Sequence, residues 1–200
     1  MKALVSTALS AAFVFSAAQA QDVPSGTYTL DSTHTTVVWA VSHGGFSMYR
    51  GTFDEVEGTL EWNANRPTRS KLSVSIDANS VDVPAAVSHA GNANFQEDVA
   101  KNALGADTQP VITFVSKKLK KKSDTTGVIE GELSFNGNTG PVTMDVTLIK
   151  AAESRGTPKM GFSGSTTIDR TQWGSDSWVQ FGIGSEVTIT IETEFAKAAE

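Results

Sequence analysis

Residues 71–77 read KLSVSID, and apolar and polar side chains alternate in this segment without interruption. Leu72, Val74 and Ile76 fall on one side, and charged or hydroxyl-bearing residues fall on the other. A strand places successive side chains on opposite faces, so this period of two indicates a β-strand with one buried face. The chain is therefore expected to fold mainly as antiparallel sheet. The same alternation returns in residues 36–43, 142–148 and 187–192.

Other segments rich in β-branched and aromatic residues extend this pattern. Clusters of glycine and asparagine separate the segments, and Asn136-Gly137 is a strong signal for a tight hairpin turn. We predict further strands near residues 28–30, 51–62, 111–118, 128–135 and 159–168.

One segment, residues 88–104, departs from the β pattern. It is rich in alanine and asparagine, and Phe95, Val99 and Ala103 recur at helical spacing before Gly105. About four strands precede this segment and four or five follow it. We therefore predict an antiparallel barrel of roughly eight strands with one inserted α-helix that caps or flanks its mouth. Closure removes exposed sheet edges, and a barrel of this size can enclose one small ligand.

The beginning of the 200-residue chain is typical of an export signal. Lys2 precedes an apolar run that ends in Ala18-Gln19-Ala20, so residues 1–20 are expected to be removed. Residues 21–200 would then form a single domain with a formal charge of −7. We expect a soluble periplasmic protein. The acidic balance argues against a nucleic-acid partner, and no later stretch is long and apolar enough to span a membrane.

The chain contains few side chains of the types that usually serve in catalysis or metal binding. The absence of cysteine excludes thiol catalysis, thiolate metal sites and lipidation at an N-terminal cysteine. The three histidines, His34, His43 and His89, lack the spacing of a metalloprotease helix, so no metal site is predicted. We predict no catalytic residues.

A run of lysines spans residues 117–122 and has two interpretations. Five ammonium groups could meet an anionic membrane or a phosphate group. We favour the alternative, a solvated strand end whose lysines discourage edge pairing.

The aromatic residues and Arg170 each have two interpretations. The aromatic side chains could fill the barrel as ordinary core, or part of them could line a cavity. Arg170 could anchor an anionic head group or pair with Asp169 or Asp176.

Six motifs follow one another at a characteristic spacing between residues 28 and 195. They are Tyr28-x-Leu30-Asp31-x-x-His34 with His43-x-Gly45-x-Ser47, Gly51-x-Phe53, Gly58-x-Leu60, Pro110-x-Ile112-x-Phe114-x-Ser116, Gly131-x-Leu133 with Gly137-x-Thr139-x-Pro141-Val142, and Ile168-x-Arg170-x-x-Trp173-Gly174. In this order they resemble the YceI-like family of exported, lipocalin-like, polyisoprenoid-binding proteins. Residues 88–95 depart from the family pattern, which has a basic-acidic-His-Leu stretch there.

The resemblance implies a lipocalin-like barrel with a hydrophobic tunnel for a long isoprenoid chain, such as a polyprenyl phosphate or a quinone. The protein would be a periplasmic carrier without chemistry or a cofactor of its own, and a homodimer is left open. The alternatives are an interaction or stress-response module with a self-filled barrel, and an enzyme for a hydrophobic substrate. We predict polar head-group contacts from His43, His89 and Arg170. The predicted lipid-binding residues are Trp39, Val41, Phe46, Phe53, Leu72, Val74, Phe95, Val99, Phe114, Leu133, Phe135, Val146, Phe162 and Trp173.

Overall fold

The computed structural model describes residues 23–83 and 95–199. Within these ranges the helical elements are α1 (Phe95–Asp98), the π-helical turn Val99–Ala103 that continues it, and four short 3-10 segments. The strands are β1 (Gly26–His43), β2 (Ser47–Phe53), β3 (Val56–Trp62), β4 (Lys71–Asp77), β5 (Val81–Asp82), β6 (Val111–Lys121), β7 (Thr126–Phe135), β8 (Asn138–Ser154), β9 (Thr157–Asp169) and β10 (Ile183–Lys197).

The strands form a closed antiparallel barrel of eight strands, as predicted. Its order is β1-β3-β4-β6-β7-β8-β9-β10, and the pairing of β10 with β1 closes it. Strand β2 precedes β3 in the chain and pairs with the second half of β1, where Trp39 lies opposite Gly51. The two-residue strand β5 adds to the outer edge of β2. Closure thus satisfies the backbone groups that an open sheet of this length would expose.

Tight turns join several strands. Asn136 and Gly137 both have positive φ, at 49° and 73°, and they connect β7 to β8 as the Asn-Gly signal predicts. The predicted helix is confirmed in its second part only, because residues 84–94 lie outside the described ranges. It stops at Gly105, whose φ is +66° and whose N–H donates to the carbonyl of Lys101 at 3.2 Å.

Two apolar clusters lie toward the two ends of the barrel. One contains Tyr28, Met160 and Phe195 and lies where β1 begins. The other contains Val99 and Ala100 of the π-helical turn, which is packed with residues of β5 and β6 at the opposite end. The short helix therefore flanks the end of the barrel at which β1 finishes and β10 begins.

A bulge organised by Asp31 interrupts β1. The register with β10 shifts between Asp31 and Thr36, so the two strands predicted near residues 28–30 and 36–43 are one long strand. The carboxylate of Asp31 accepts hydrogen bonds from the backbone N–H and hydroxyl of Thr33, at 3.1 and 2.6 Å, and lies 2.9 Å from Nδ1 of His34. These hydrogen bonds hold the pKa of Asp31 far below its usual range.

We expect Asp31→Asn to lower the free energy of unfolding at pH 7 by roughly 1–2 kcal/mol. The reason is that asparagine lacks the negative charge that strengthens the hydrogen bonds from Thr33 and His34. Because the pKa of Asp31 is lowered in the folded state, the full stabilisation is present above the pKa of an unfolded carboxyl, about 4. The contribution is lost as the pH falls through the folded value. Urea unfolding should therefore show a smaller difference at pH 3 than at pH 7. Asp54→Asn, at an exposed position, is the control, and an equal loss at both pH values would contradict the assignment.

Candidate functional site

The barrel encloses an elongated cavity of about 650 Å³, a size typical of small-molecule sites. The length of the cavity can be measured along β10. Alternate residues of this strand line the cavity: Val187, Ile189, Ile191, Thr193 and Phe195. These alternate positions span about 26 Å of strand. Most of the other lining side chains are also apolar, so the cavity suits a long apolar molecule.

A row of aromatic side chains stands at the end of the cavity near α1. The ring centroids of Trp39 and Tyr49 are 6.1 Å apart, those of Tyr49 and Phe95 6.3 Å, and those of Phe95 and Trp178 6.0 Å. All four side chains line the cavity. Exposed His43 lines the same end, so the cavity reaches the protein surface there.

Close contact between aromatic rings and glycine shapes the barrel wall at three places. The indole of Trp39 lies against Gly51, and a side chain at that glycine would collide with it. A Cβ at Gly131 would lie 2.5 Å from Phe114, and one at Gly140 would lie 2.8 Å from Trp173. These glycines therefore allow large rings to approach the backbone of the sheet closely.

Arg170 is buried at the same end of the barrel, with 6% of its surface exposed. Its Nε donates to the carbonyl of Gly184 at 3.0 Å, and its terminal nitrogens donate to the carbonyls of Ser175 and Ser177 at 2.7 and 2.9 Å. Burial lowers the pKa of Arg170, and the nearby carboxylates of Asp176 and Asp169 oppose this shift. The guanidinium thus holds together the segment that carries Trp178.

Of the two interpretations of Arg170, the one in which it pairs with Asp169 or Asp176 is wrong. The guanidinium bonds backbone carbonyls, and the carboxylate of Asp169 instead accepts from the N–H and hydroxyl of Thr171. Arg170 nevertheless lines the cavity, so contact with an anionic head group stays a prediction. The predicted head-group residue His89 lies outside the described residues.

The structure brings twelve of the fourteen predicted lipid-binding residues to the cavity wall, although their contact with a lipid stays a prediction. Those twelve are Trp39, Val41, Phe53, Leu72, Val74, Phe95, Val99, Phe114, Leu133, Phe135, Val146 and Phe162.

The other two predicted lining residues lie elsewhere. Phe46 is 95% exposed because it sits in the turn between β1 and β2. Trp173 is buried in a 3-10 turn, where it stacks on Phe135 at 5.6 Å and donates from Nε1 to the carbonyl of Leu133. These two positions correct the prediction that both rings face the tunnel.

Several lining residues were missed by the sequence interpretation. Val187, Ile189 and Ile191 belong to an alternating segment, so their shared face was the available signal. Trp178 and Phe181 lie in an irregular segment between two glycines, where no periodicity points to a cavity.

The lysine run lies away from this site, at the far end of β6. Three of its ammonium groups are within 2.8 Å of a carboxylate, and Lys120 also pairs with Glu130. These exposed pairs agree with the interpretation as a solvated strand end. The three close pairs are Lys117 with Glu132, Lys121 with Asp124, and Lys122 with Asp145.

One cluster near the bulge offers side chains that metals can use. Asp31, His34 and Glu194 have ligand atoms within 4.8 Å of one another. The ammonium of Lys159 lies 3.5 Å from both carboxylates. One cationic group of the protein therefore already lies between the two carboxylates and offsets part of their charge. Among the described residues, no helix is both long and apolar enough to cross a bilayer.

Comparison with known proteins relates the chain to one family. A family profile described as "YceI-like domain" matches residues 28–195. A UPF0312 protein of Pseudomonas putida is 32% identical over 146 residues, 72% of each chain. One from Pseudomonas aeruginosa is 32% identical over 178 residues, 86% of each chain.

Two solved structures share the fold. Burkholderia cenocepacia BcnA superposes with a TM-score of 0.70 at 20% identity, covering 82% of this chain and 98% of that one. A polyisoprenoid binding domain from Saccharophagus degradans gives a TM-score of 0.67 at 14% identity, covering 86% and 98%. With the profile match over most of its length, the chain belongs to the YceI-like family.

Proposed function

We propose that this protein binds a long-chain isoprenoid lipid, a polyprenyl phosphate or a quinone-like molecule, and carries it through the periplasm. The observation that carries the proposal is the elongated apolar cavity of about 650 Å³ inside a closed barrel. A barrel filled by its own side chains would leave no such space, so the cavity favours binding over a self-filled interaction module.

The hydrophobic effect supplies the driving force for such binding. Burial of apolar surface stabilises a complex by about 25 cal/mol per Å². A few hundred Å² of isoprenoid chain would therefore contribute on the order of 5–10 kcal/mol before the costs of association. Because this attraction is not directional, the apolar wall would accept isoprenoid chains of different lengths.

The polar groups favour a head group at the end near α1. His43 is exposed there, and Arg170 is a buried cation whose hydrogen bonds go to uncharged groups. The opposite end is filled by Tyr28, Met160 and Phe195. The lipid would therefore enter tail first, and its head would remain close to His43 and Arg170.

Two further points support the ligand class and the location. The structural neighbour from Saccharophagus degradans is described as a polyisoprenoid binding domain, and it has the same fold. The leader expected in residues 1–20 supports export to the periplasm.

Mass spectrometry of lipid extracted from the protein, purified out of its native periplasm, tests the proposal. We expect isoprenoid lipid, of one or several chain lengths, at a near-stoichiometric total amount. An unrelated exported protein with the same tag, taken through the same purification, gives the background. Repeated recovery of empty protein that also fails to bind added polyprenols and quinones would overturn the proposal.

A further inference from the structure

Four exposed apolar side chains lie in the two segments next to the open end of the cavity, residues 46–48 and 179–181. Phe46 is 95% exposed and Phe181 75%, and Met48 and Val179 are also exposed. We call these four residues the apolar crown. Large apolar side chains seldom stand this free of the protein surface without a partner.

Phe46 and Phe181 belong to two turns that are joined. Val179 lies in the same turn as Phe181, and Met48 lies at the start of β2, directly after the turn of Phe46. The N–H of Gly44, in the turn that carries Phe46, donates to the carbonyl of Gly182 at 3.0 Å. Gly182 directly follows Phe181, so this hydrogen bond holds the two phenyl-bearing turns together. Phe181 is both exposed and part of the cavity wall. The crown and the cavity therefore form one continuous apolar surface.

We propose that the apolar crown docks onto the surface of a lipid bilayer, so that an isoprenoid chain passes between the membrane and the cavity without crossing water. The identity of the cargo rests on the proposed function, but docking itself does not. Phe46 and Phe181 would insert at the level of the lipid head groups, where aromatic side chains are favoured.

The shape and charge of the crown favour a bilayer over a folded protein partner. Phe46 and Phe181 project from turns, and a bilayer accepts projecting side chains without a matching pocket. The formal charge of the chain is −6, and the lysine run lies at the opposite end of the barrel. Docking would therefore depend on apolar insertion, and zwitterionic vesicles should bind at least as well as anionic ones, which repel an acidic protein.

Cosedimentation with phosphatidylcholine vesicles tests the proposal. We expect the wild-type protein to bind them and Phe46→Ser to bind about tenfold more weakly, because burial of one phenyl group contributes at least that factor. Ile149→Ser is the matched control, since Ile149 is 60% exposed but lies on β8 away from the crown. Binding of farnesol without vesicles should be the same in all three proteins, because Phe46 does not line the cavity.

The outcomes separate docking from cargo binding. Equal vesicle binding by wild type and Phe46→Ser, or none by wild type, would overturn the docking proposal. A wild-type dimer that Phe46→Ser dissociates, without vesicle binding, would also overturn it and make the crown an interface between two copies. Vesicle binding together with a failure to bind farnesol, polyprenols and quinones would support docking and overturn the proposed function alone.

Discussion

Gly164→Leu is expected to weaken polyprenol binding by about 10- to 100-fold while the barrel stays folded. Gly164 lines the cavity in the middle of β9, opposite Val146 of β8 and Ile191 of β10. A Cβ there would first meet the sulfur of Met144 at 3.1 Å, and that flexible side chain can move aside. The rest of the leucine would occupy space that an isoprenoid chain needs. Forcing a chain past it costs about 1–3 kcal/mol, which sets the expected factor.

Gly161→Leu is the matched control on the same strand. Position 161 is three residues from 164 on β9 and does not line the cavity, and a Cβ there has only the carbonyl of Thr193 within 4.0 Å. Titration with solanesol in detergent micelles, followed by tryptophan fluorescence, gives the dissociation constants. Urea unfolding verifies that both variants are folded. Equal affinities for Gly164→Leu and Gly161→Leu would mean that the lipid does not occupy this part of the barrel.

Arg170→Met is expected to lower the free energy of unfolding by about 3 kcal/mol or more. Methionine can fill much of the same space but donates no hydrogen bond, so the carbonyls of Gly184, Ser175 and Ser177 lose their charged donor. A hydrogen bond to a charged group contributes about 1.5–3 kcal/mol, and buried carbonyls left without a donor add a cost. We also expect faster proteolysis between residues 174 and 184, because this segment loses its central attachment.

Two further variants separate the hydrogen bonds from the charge. Arg170→Lys keeps the charge but cannot reach all three carbonyls, so we expect an intermediate loss of stability. Arg69→Met is the control at an exposed arginine. If Arg170→Met unfolds at the same urea concentration as wild type, Arg170 does not organise the segment. If Arg170→Met proves too unstable to purify, the proteolysis rate of Arg170→Lys still tests the role.

The sequence predicts most of the barrel because one physical signal repeats in it. Segments such as residues 71–77 and 142–148 have one apolar face, and burial of that face requires a strand in a sheet. Two features lack this signal. The two-residue strand β5 is too short to show a period, and the bulge in β1 depends on hydrogen bonds to Asp31 that alternation does not encode.

The site was predictable to the same extent as the strands that form its wall. Inward positions such as Val74 and Val146 follow from alternation once the barrel is closed. Phe46 and Trp173 have the same residue type as true lining positions, but both lie in turns where alternation stops. Trp178 was missed for the same reason. Residue type indicates that a ring will be buried or will bind, and only the backbone path decides which.

The contacts between aromatic rings and glycines have a consequence for how this barrel changes in evolution. A Cβ at Gly131 would meet the backbone carbonyl of Val115 at 2.6 Å as well as Phe114, so this position should stay glycine whatever residue stands at position 114. At Gly140 the nearest atoms to an added Cβ all belong to the ring of Trp173. Gly140 and Trp173 should therefore vary as a pair: relatives that carry a larger residue at position 140 should carry a smaller one at position 173.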